Sequence, residues 1–332
     1  MIQKNNKVDT QEFLIRYEKW RVDQFTTKKN NFLKRAKKKI KGSFRRVKSI
    51  LLNYNLSNDE LAVSSSDHNT SYTSDHNTSY TSDHNTSYNR ENKCVDADKT
   101  LAIIVHAHYY DIFTSIMERV ATLDIDFKLY VTTNKLNYDL ICDYFCSRVY
   151  NVDILCTENL GRDILPFIKI LPYVKQQHNY LLKLHTKKSP HRGRDGQAWR
   201  EKMLDELLNE KLIQNINMLF KDYPIGIIGP ANYIYSVRDK SHSSLGLIKD
   251  MARKMNFDGN IYDELFVGGT MFYASVDALE PICKLNFKKD QFPSEPLPVD
   301  GTTAHGIERL IGISSTKQSL LTVDTKFCKD LI

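Results

Sequence analysis

The pattern of apolar and polar positions changes near residue 100. Beyond it, short apolar runs typical of buried strands occupy residues 101–105, 127–131, 148–155, 180–184, 225–229 and 266–274. Helical spacing of apolar residues predicts helices over 112–123, 136–145, 164–174, 199–220, 275–283 and 301–313, the third interrupted by Pro172. Strands alternating with helices predict an α/β fold, with a mostly parallel sheet and helices on both of its faces.

Residues 1–60 are predicted to form a basic, partly helical arm. Between Lys28 and Lys48 there are eleven Lys or Arg residues and no acid, and removing these eleven charges from the net charge of +7 leaves −4 elsewhere. Apolar residues at helical steps line one side of this segment: Leu33, Ala36, Ile40, Phe44, Val47 and Leu51. Such a helix fits an anionic membrane surface, while a helix packed on the domain and a nucleic-acid-binding arm are the alternatives. No nucleic-acid motif is present, so a nucleic-acid partner is not expected.

A repetitive segment separates the arm from the α/β region. Residues 66–89 contain three copies of the unit Ser-Asp-His-Asn-Thr-Ser-Tyr-Thr, the last of which ends in Asn89. Because the unit has almost no aliphatic side chain, residues 61–98 are predicted to be a disordered linker. Residues 99–332 are predicted to form one α/β domain, which is the candidate for any catalytic role.

The composition is that of a soluble protein, with 41% hydrophobic and 26% charged residues. No run approaches the roughly eighteen apolar residues of a membrane span, and the polar start lacks a secretory signal. The six cysteines form no Cys-x-x-Cys pair, so reduced thiols are expected. These features, together with the arm, predict a cytoplasmic protein that is peripheral on the inner face of the cell membrane.

Polar clusters follow several predicted strands, at the sheet edge where α/β proteins bind ligands. His106 and His108 end the first strand and share one side of it. They are candidates for substrate binding, or for a metal site of the amidohydrolase-barrel type with His185 and Asp300. That barrel needs about eight strand–helix units, whereas the sequence shows six or seven strands. A packed histidine beside a hydrogen-bonded one is the remaining alternative.

The segment from Asn159 to Asp163 leads into the helix predicted from residue 164. Asn159, the Arg162 guanidinium and the backbone N–H groups of a helix start suit a diphosphate or sugar hydroxyls. An ordinary turn with a surface Arg–Asp pair is the alternative. Asp163 is also a candidate helix cap.

A cationic segment ends the strand over 180–184. His185, Lys187 and Lys188 are candidates for binding a leaving nucleoside diphosphate where no divalent ion neutralises it. A solvated loop explains the same composition.

Two further clusters lie nearer the carboxyl end. Gly269 and Thr270 belong to a segment whose paired glycines allow a ligand to approach the backbone, or form a bend or bulge. Asp300, His305 and Glu308 lie at a helix start, where one carboxylate is a candidate general base. Capping by Asp300 and a surface pair of Glu308 with Arg309 are the alternatives.

The ordered set of motifs resembles the rhamnan synthesis protein F family of bacterial surface-polysaccharide proteins. It comprises Val105-His-Ala-His-Tyr-Tyr110, Asn159-Leu-Gly-Arg-Asp163, Lys183-Leu-His-Thr-Lys-Lys-Ser189, Trp199-Arg200, Gly268-Gly-Thr-Met-Phe272 and Asp300-Gly-Thr-Thr-Ala-His-Gly-Ile-Glu-Arg309. These motifs span residues 101–313, which leaves the arm and the repeats outside the resemblance.

The resemblance implies a GT-A-like glycosyltransferase of O-antigen, capsule or wall polysaccharide synthesis. Such an enzyme would transfer a deoxysugar, with rhamnose as the candidate, from a nucleotide-sugar donor to a lipid-linked glycan acceptor. Asp300, or else Glu308, would be the base of an inverting displacement, while Arg162, Lys187 and Lys188 bind the diphosphate. Asn159, Asp163 and His185 would orient the donor, and His106 and His108 would line the nucleotide pocket.

No cofactor is certain from these motifs. A divalent metal stays open, although the Asp-x-Asp motif usual in such transferases is absent and Leu184-His-Thr-Lys-Lys188 stands in its place. A metal-dependent hydrolase built on His106 and His108 and a non-catalytic membrane-associated assembly factor are the alternative functions.

Overall fold

In a computed structural model the chain divides into two compact units, Met1–Asp83 and His84–Ile332. The structure describes residues 10–26, 85–88, 100–148, 150–186, 188, 195–241 and 243–332. The predicted basic helix, most of the repeat segment and Lys187 lie outside the described residues. In the first unit, helix α1 spans Thr10–Thr26 and buries Phe13, Leu14, Tyr17 and Trp20.

An eight-stranded sheet forms the core of the second unit, in the order β1-β4-β3-β2-β5-β9-β6-β10. Six of the eight strands run in one direction, because only β1 and β9 are antiparallel to their neighbours. A separate antiparallel pair is formed by β7 and β8. The strands are β1 Asn85–Tyr88, β2 Leu101–Ala107, β3 Phe127–Thr133, β4 Val152–Cys156, β5 Tyr180–His185, β6 Ile225–Gly229, β7 Ile234–Ser236, β8 Leu265–Val267, β9 Phe272–Ser275 and β10 Leu321–Asp324.

The connections explain why helices cover both faces. The chain moves from β2 to β3 to β4 in one direction along the sheet and returns past β2 to β5. Because parallel crossovers are right-handed, the helices before and after this reversal lie on opposite faces. The helices are α2 Tyr110–Val120, α3 Tyr138–Cys146, α4 Ile164–Val174, α5 Asp195–Leu207, α6 Glu210–Gln214, α7 Ile216–Asp222, α8 Val237–Lys240, α9 Leu245–Lys254, α10 Val276–Cys283, α11 Thr303–Lys317 and α12 Thr325–Lys329. The predicted α/β fold with a mostly parallel sheet is confirmed.

Several predicted elements differ from those observed. The helix predicted over 199–220 is three helices, because Asn209 caps α6 by accepting a hydrogen bond from the Leu212 N–H at 3.2 Å. The strand predicted over 266–274 is two strands in different sheets, separated by left-handed backbone at Gly269 and Thr270. Helix α4 continues through Pro172, which lies in its last turn and removes only one backbone hydrogen bond.

The last repeat also differs from its prediction in the residues described. Asn85–Tyr88 forms strand β1, which pairs antiparallel with β4. Without β1, the unpaired backbone groups of β4 would form the sheet edge, and Thr86 and Tyr88 belong to residue types that favour strands. Composition alone could not show that a sheet edge pairs with this copy, so the prediction of disorder is wrong for these four residues.

Candidate active site

The candidate site lies where the strand order reverses, beyond the carboxyl ends of β2 and β5. These parallel strands pair His106 directly with His185. In open α/β sheets the crevice at such a reversal is the usual ligand site. The loop before β9 reaches the same edge, since β9 is antiparallel to β5 and pairs Phe272 with Lys183. We call residues 268–271 of this loop the glycine turn.

A buried ion pair joins the glycine turn to the start of α4. The Lys183 Nζ donates to Asp163 Oδ2 at 2.5 Å and to the Thr270 carbonyl oxygen at 2.9 Å. The Thr270 hydroxyl donates to the same Asp163 oxygen at 2.5 Å. The side chains of Lys183 and Asp163 are 1% and 14% exposed, so this charge pair is almost completely removed from water. Three segments distant in sequence are thereby tied together.

The surroundings of Asp163 keep its carboxyl ionised. Burial alone would raise its pKa, but the positive charges of His185 and Lys183 and the hydrogen bonds from Lys183 and Thr270 lower that pKa well below its usual range. Asp163 occupies the N-cap position of α4, yet its side chain makes no capping bond there. The cap interpretation and the surface-pair interpretation of Asp163 are therefore both wrong.

Lys183 is the main residue of this cluster that the sequence prediction did not select. It interrupts the run Leu181-Leu182-Lys183-Leu184, whose three leucines pack in the core. A lysine in a buried strand needs a partner, because an unpaired buried charge is very costly. This rule could have selected Lys183 from the sequence. It predicts a buried acidic partner, but it does not identify that partner as Asp163.

The glycine turn is held in a left-handed conformation from both sides. Gly269 and Thr270 have φ angles of 87° and 56°. The Gly269 N–H donates to Glu308 Oε1 at 2.8 Å, and its carbonyl oxygen accepts from His185 Nε2 at 2.6 Å, so that nitrogen carries a proton. A Cβ at Gly269 would lie 2.6 Å from a ring carbon of Trp199. The paired glycines thus serve a tight turn, one of the two predicted uses.

Helix α11 carries the acidic half of the site. Its N-cap Thr302 contacts His305 Nδ1 through its hydroxyl at 2.7 Å. Arg309 donates to Glu308 Oε2 at 2.8 Å and forms an ion pair with Asp300 Oδ1 at 3.4 Å. The Glu308 side chain is only 16% exposed, so Glu308 and Arg309 are not the surface pair that was the alternative. Thr302, and not Asp300, occupies the cap position.

Asp300 is the more accessible of the two candidate bases, with 24% of its side chain exposed. Its Oδ1 accepts a hydrogen bond of 2.7 Å from the hydroxyl of the buried Ser244. Burial opposes ionisation, but this hydrogen bond and the Arg309 charge outweigh it and lower the pKa of Asp300. The carboxylate is therefore ionised at neutral pH, which is the form a base requires.

Arg162 lies on the open side of the site. It has a φ of 56°, its side chain is 38% exposed, and its Nε lies 3.7 Å from Glu295 Oε1. Its NH1 and NH2 lie 3.4 Å from His305 Nε2 and from the Pro298 carbonyl oxygen. These contacts are longer than strong charge-assisted hydrogen bonds. Asn159 is exposed on the same segment.

His106, near the end of β2, and His108, just after the strand, have different surroundings. His106 is buried and contacts the Thr132 hydroxyl through Nδ1 at 3.0 Å, and burial lowers its pKa to about 3, so its ring is neutral. His108 is partly exposed, and its Nδ1 lies 3.3 Å from Asn134 Nδ2. Thr186 fixes the loop between them and α2, since its hydroxyl accepts the N–H groups of His108 and Tyr109 at 2.8 and 2.9 Å.

The predicted lysine pair is only partly described. Lys188 is 44% exposed, forms an ion pair with Asp111 at 3.0 Å and lies 4.6 Å from the centre of the Tyr109 ring. Lys187 lies outside the described residues. The diphosphate role of these two lysines stays a prediction.

A metal ion needs several His, Cys, Asp or Glu side chains placed close together. Within the described ranges, no three His, Cys, Asp or Glu side chains are grouped so that they could hold a metal ion. The sheet is open, with β1 and β10 at its edges, so the amidohydrolase-barrel interpretation of His106 and His108 is wrong. His106 instead packs against Thr132.

Comparisons with known proteins support one family. Two proteins of Xanthomonas campestris pv. campestris, from strains B100 and ATCC 33913, both named uncharacterized protein WxcX, are each 30% identical over 216 residues. That alignment covers 64% of this chain, and the chain spans 31% of the relatives' length. A 4-diphosphocytidyl-2C-methyl-D-erythritol synthase structure from Anaerococcus prevotii has a TM-score of 0.38 and 11% identity, covering 70% of this chain and 89% of that one. At that TM-score the likeness supports no functional conclusion.

The family model of rhamnan synthesis protein F matches residues 2–319. This confirms the resemblance and extends it beyond residues 101–313, to the arm and the repeats that were expected to lie outside it. The chain therefore belongs to the rhamnan synthesis protein F family, a family of polysaccharide synthesis.

Proposed function

We propose that the chain is a glycosyltransferase that transfers a deoxysugar from a nucleoside diphosphate to a growing glycan. One observation carries this proposal. An exposed guanidinium, Arg162, and an ionised, accessible carboxylate, Asp300, are both linked to the residues that fix the glycine turn. Arg162 precedes Asp163, which binds Thr270. Asp300 pairs with Arg309, which binds Glu308 beside Gly269. A cation for the leaving diphosphate and a base for the acceptor are the two charges that this transfer needs.

The donor half of the proposed site centres on Arg162. Its guanidinium is exposed, and its contacts with the described residues are 3.4 to 3.7 Å long, so it can exchange Glu295 for a diphosphate oxygen pair. Lys187 and Lys188 supply further positive charge. Asn159, which lies on the same segment as Arg162, also binds the donor. His106 and His108 line the nucleotide pocket, where the neutral His106 ring packs without a charge.

The buried residues act through the backbone. Asp163 and His185 are both predicted from the resemblance to orient the donor. Asp163 binds Lys183 and Thr270, and His185 binds the Gly269 carbonyl oxygen. We therefore assign Asp163, Lys183 and His185 as positioning residues, which hold the glycine turn in its left-handed conformation. The surface of that turn then faces the donor.

Asp300 is the proposed general base, and the contacts of the two carboxylates favour it over Glu308. Both Glu308 oxygens are engaged, one by the Gly269 N–H and one by Arg309. Among the residues that the structure describes, Ser244 and Arg309 both contact Asp300 through Oδ1. In the proposed step, Asp300 takes the proton of the acceptor hydroxyl, and the oxygen of that hydroxyl bonds to the anomeric carbon. The bond from that carbon to the diphosphate breaks, and the diphosphate leaves with the electron pair, inverting the configuration.

The acceptor is proposed to be a lipid-linked glycan at the cytoplasmic face of the membrane. This proposal rests on the predicted basic arm between Lys28 and Lys48 and on the family's link to polysaccharide synthesis. Among the residues that the structure describes, no helix has the length and apolarity needed to cross a membrane. Association through the arm is the proposed form of membrane binding.

A thermal-shift panel of nucleotide-sugars, each with and without EDTA, tests the class, the donor base and the need for metal together. A binding donor raises the melting temperature by mass action. We expect one nucleotide-linked deoxysugar to give the largest shift and the shift to survive EDTA, because lysines replace the Asp-x-Asp motif. A flat panel would contradict the transferase proposal and favour a non-catalytic assembly factor.

A further inference from the structure

A cavity lies outside the candidate active site, between α2 and α3. It has a volume of about 630 Å³ and is lined by residues of both helices and of the segment that leads to β4. A neighbouring depression of about 560 Å³ shares Ala121, Arg148 and Tyr150 with it, so the two form one continuous groove. Ligand sites commonly have volumes of about 300 to 1,000 Å³. None of the residues assigned to the transfer site lines this groove.

One wall of the groove is aromatic and rigid. Tyr144 packs edge to face against Phe113 and Phe145, with ring centres 5.2 and 5.1 Å apart, and Phe145 packs in the same way on Tyr150 at 5.4 Å. Phe113 and Phe145 are fully buried, whereas Tyr150 is partly exposed on the groove. Aromatic rings anchored in the core present a fixed surface, which lowers the entropic cost of binding.

Both hydrogen-bond donors and hydrogen-bond acceptors surround this aromatic wall. Arg148 is held by a hydrogen bond of 2.7 Å from its NH1 to the Tyr144 carbonyl oxygen, and its guanidinium carbon lies 4.0 Å from the centre of the Tyr144 ring. Glu118 from α2 and Asp143 from α3 contribute carboxylates to the lining. Tyr144 itself is buried under Arg148, so the accessible aromatic surface is that of the partly exposed Tyr110 and Tyr150. The groove therefore offers donors, acceptors and these two rings side by side.

We propose that this groove binds a neutral oligosaccharide, the glycan acceptor of the proposed transfer; this inference rests on the proposed function. Sugar hydroxyls require both donors and acceptors, and sugar C–H faces pack on aromatic rings. The methyl group of a deoxysugar matches the apolar side chains of Ala121 and Leu140, the latter 47% exposed. Three carboxylates, those of Glu118, Asp143 and Asp126, against one guanidinium disfavour a phosphate, a nucleic acid or an anionic lipid.

The groove runs along α2 towards the sheet edge that carries the proposed transfer site. It starts at Tyr110, the first residue of α2 and the second after His108, and continues to Ala121 beyond the end of that helix. Eleven residues of helix extend over about 16 Å. The adjacent Tyr109 N–H bonds Thr186 at the carboxyl end of β5. A bound glycan would thus lie along α2 with one end at the edge of the sheet that carries the transfer site.

The test is a calorimetric titration of the full chain with a rhamnose oligosaccharide in the absence of any nucleotide-sugar. We expect Asp143→Asn and Arg148→Ala to weaken binding by at least about tenfold, the loss of roughly one good polar contact. Asp139→Asn is the matched control, because Asp139 is an exposed acid of α3 that does not line the groove, and its affinity should equal that of the wild type. A sulfated oligosaccharide should bind more weakly than the neutral one.

Two results would overturn the groove assignment: no binding by the wild-type chain, or equal binding by the wild type and both groove variants. Asp143→Asn keeps the side-chain shape, so it remains informative if Arg148→Ala disturbs the Tyr144 stacking and unfolds at a lower temperature. Donor binding in the nucleotide-sugar panel is measured separately. If donors bind and the groove variants behave as wild type, the groove is wrong while the transferase proposal stands; if no donor binds, the transferase proposal itself fails.

Discussion

The glycine turn and the segment 159–163, which carries Arg162, lie in one candidate site. They differ in how deeply their side chains are buried and in how short their hydrogen bonds are. Around the turn, Lys183 and Glu308 are 1% and 16% exposed, and the hydrogen bonds that fix Gly269 and Thr270 measure 2.5 to 2.9 Å. Arg162 is 38% exposed and has contacts of 3.4 to 3.7 Å. The turn is fixed before any ligand binds, whereas the Arg162 guanidinium can still form strong hydrogen bonds with a ligand.

This difference separates positioning from binding. Substitutions around the turn should change stability, together with any activity that depends on its shape. Substitutions at Arg162 should change ligand affinity and leave stability nearly unaltered. Substitutions at Asp300 should affect both stability and function, because its side chain is partly exposed and also paired with Ser244 and Arg309.

The largest expected effect belongs to Asp300. Asp300→Asn keeps the shape of the side chain and removes the base, so the transfer rate constant should fall by roughly 10² to 10⁴. Glu308→Gln should lower the rate less, since Glu308 holds the turn and takes no proton in the proposed step. Initial rates at saturating donor measure both. Full transfer by both variants would refute the assignment of the base to this helix start.

The next largest effect concerns the buried ion pair. Asp163→Asn and Lys183→Met each leave one buried charge without its partner, and each should lower the free energy of unfolding by about 3 to 5 kcal/mol. The double variant should lose less than the sum of the two, because it leaves no unpaired charge. Urea unfolding of the four proteins measures the coupling, and strict additivity would show that the pair is not a unit.

The pH dependence of stability sharpens the same point. The pKa of Asp163 is lower in the folded chain than in the unfolded chain, so its stabilising contribution is complete above the unfolded value of about 3.9. It is lost as the pH falls towards the folded pKa. The difference in unfolding free energy between wild type and Asp163→Asn should therefore be constant from about pH 5 to 7 and shrink below about pH 4. A constant difference at all these values would contradict the assigned direction of the shift.

A smaller effect is expected at Arg162. Arg162→Ala should weaken binding of a nucleoside diphosphate by about 1.5 to 3 kcal/mol, the usual contribution of hydrogen bonds to charged groups. The melting temperature without ligand should stay unchanged. Arg253→Ala, which removes a guanidinium with a side chain 78% exposed on α9, is the matched control. An equal loss of affinity in both variants would indicate a general charge effect.

The smallest effect is expected at Glu295, which competes with the diphosphate for the Arg162 guanidinium. Exposed ion pairs contribute about 0.2 to 1 kcal/mol, so Glu295→Gln should tighten diphosphate binding by no more than about fivefold. Titration calorimetry with the nucleoside diphosphate measures the change. Weaker binding in this variant would show that Glu295 supports the site, contrary to this account.

The sequence was informative where one principle was sufficient. Alternating strands and helices predicted the sheet, and the strand-end rule selected His106, His185, Asp163 and Gly269, which the structure brings to one edge. The exact partners depended on tertiary contacts. Lys183 looked like one position of an apolar strand, and its pairing with Asp163 appears only when α4 and the glycine turn meet β5.

Local conformation limited the prediction elsewhere. The run over 266–274 has one apolar pattern, but left-handed backbone at Gly269 and Thr270 sends its two halves into different sheets. The eight-residue repeat has a single composition, yet Asn85–Tyr88 of the last copy pairs with the edge of β4. Periodicity describes which faces are apolar; it does not describe which edges are open.

The most direct test of the central claim is a transfer assay. A nucleotide-linked rhamnose labelled in the sugar is incubated with the wild-type chain and bacterial lipid-linked glycan, alongside Asp300→Asn and the surface control Arg253→Ala. The account predicts label in the lipid fraction and one released nucleoside diphosphate per sugar transferred for the wild type and Arg253→Ala, and a large loss for Asp300→Asn. Equal transfer by Asp300→Asn and the wild type would contradict it, as would no transfer of any nucleotide-sugar by the wild type.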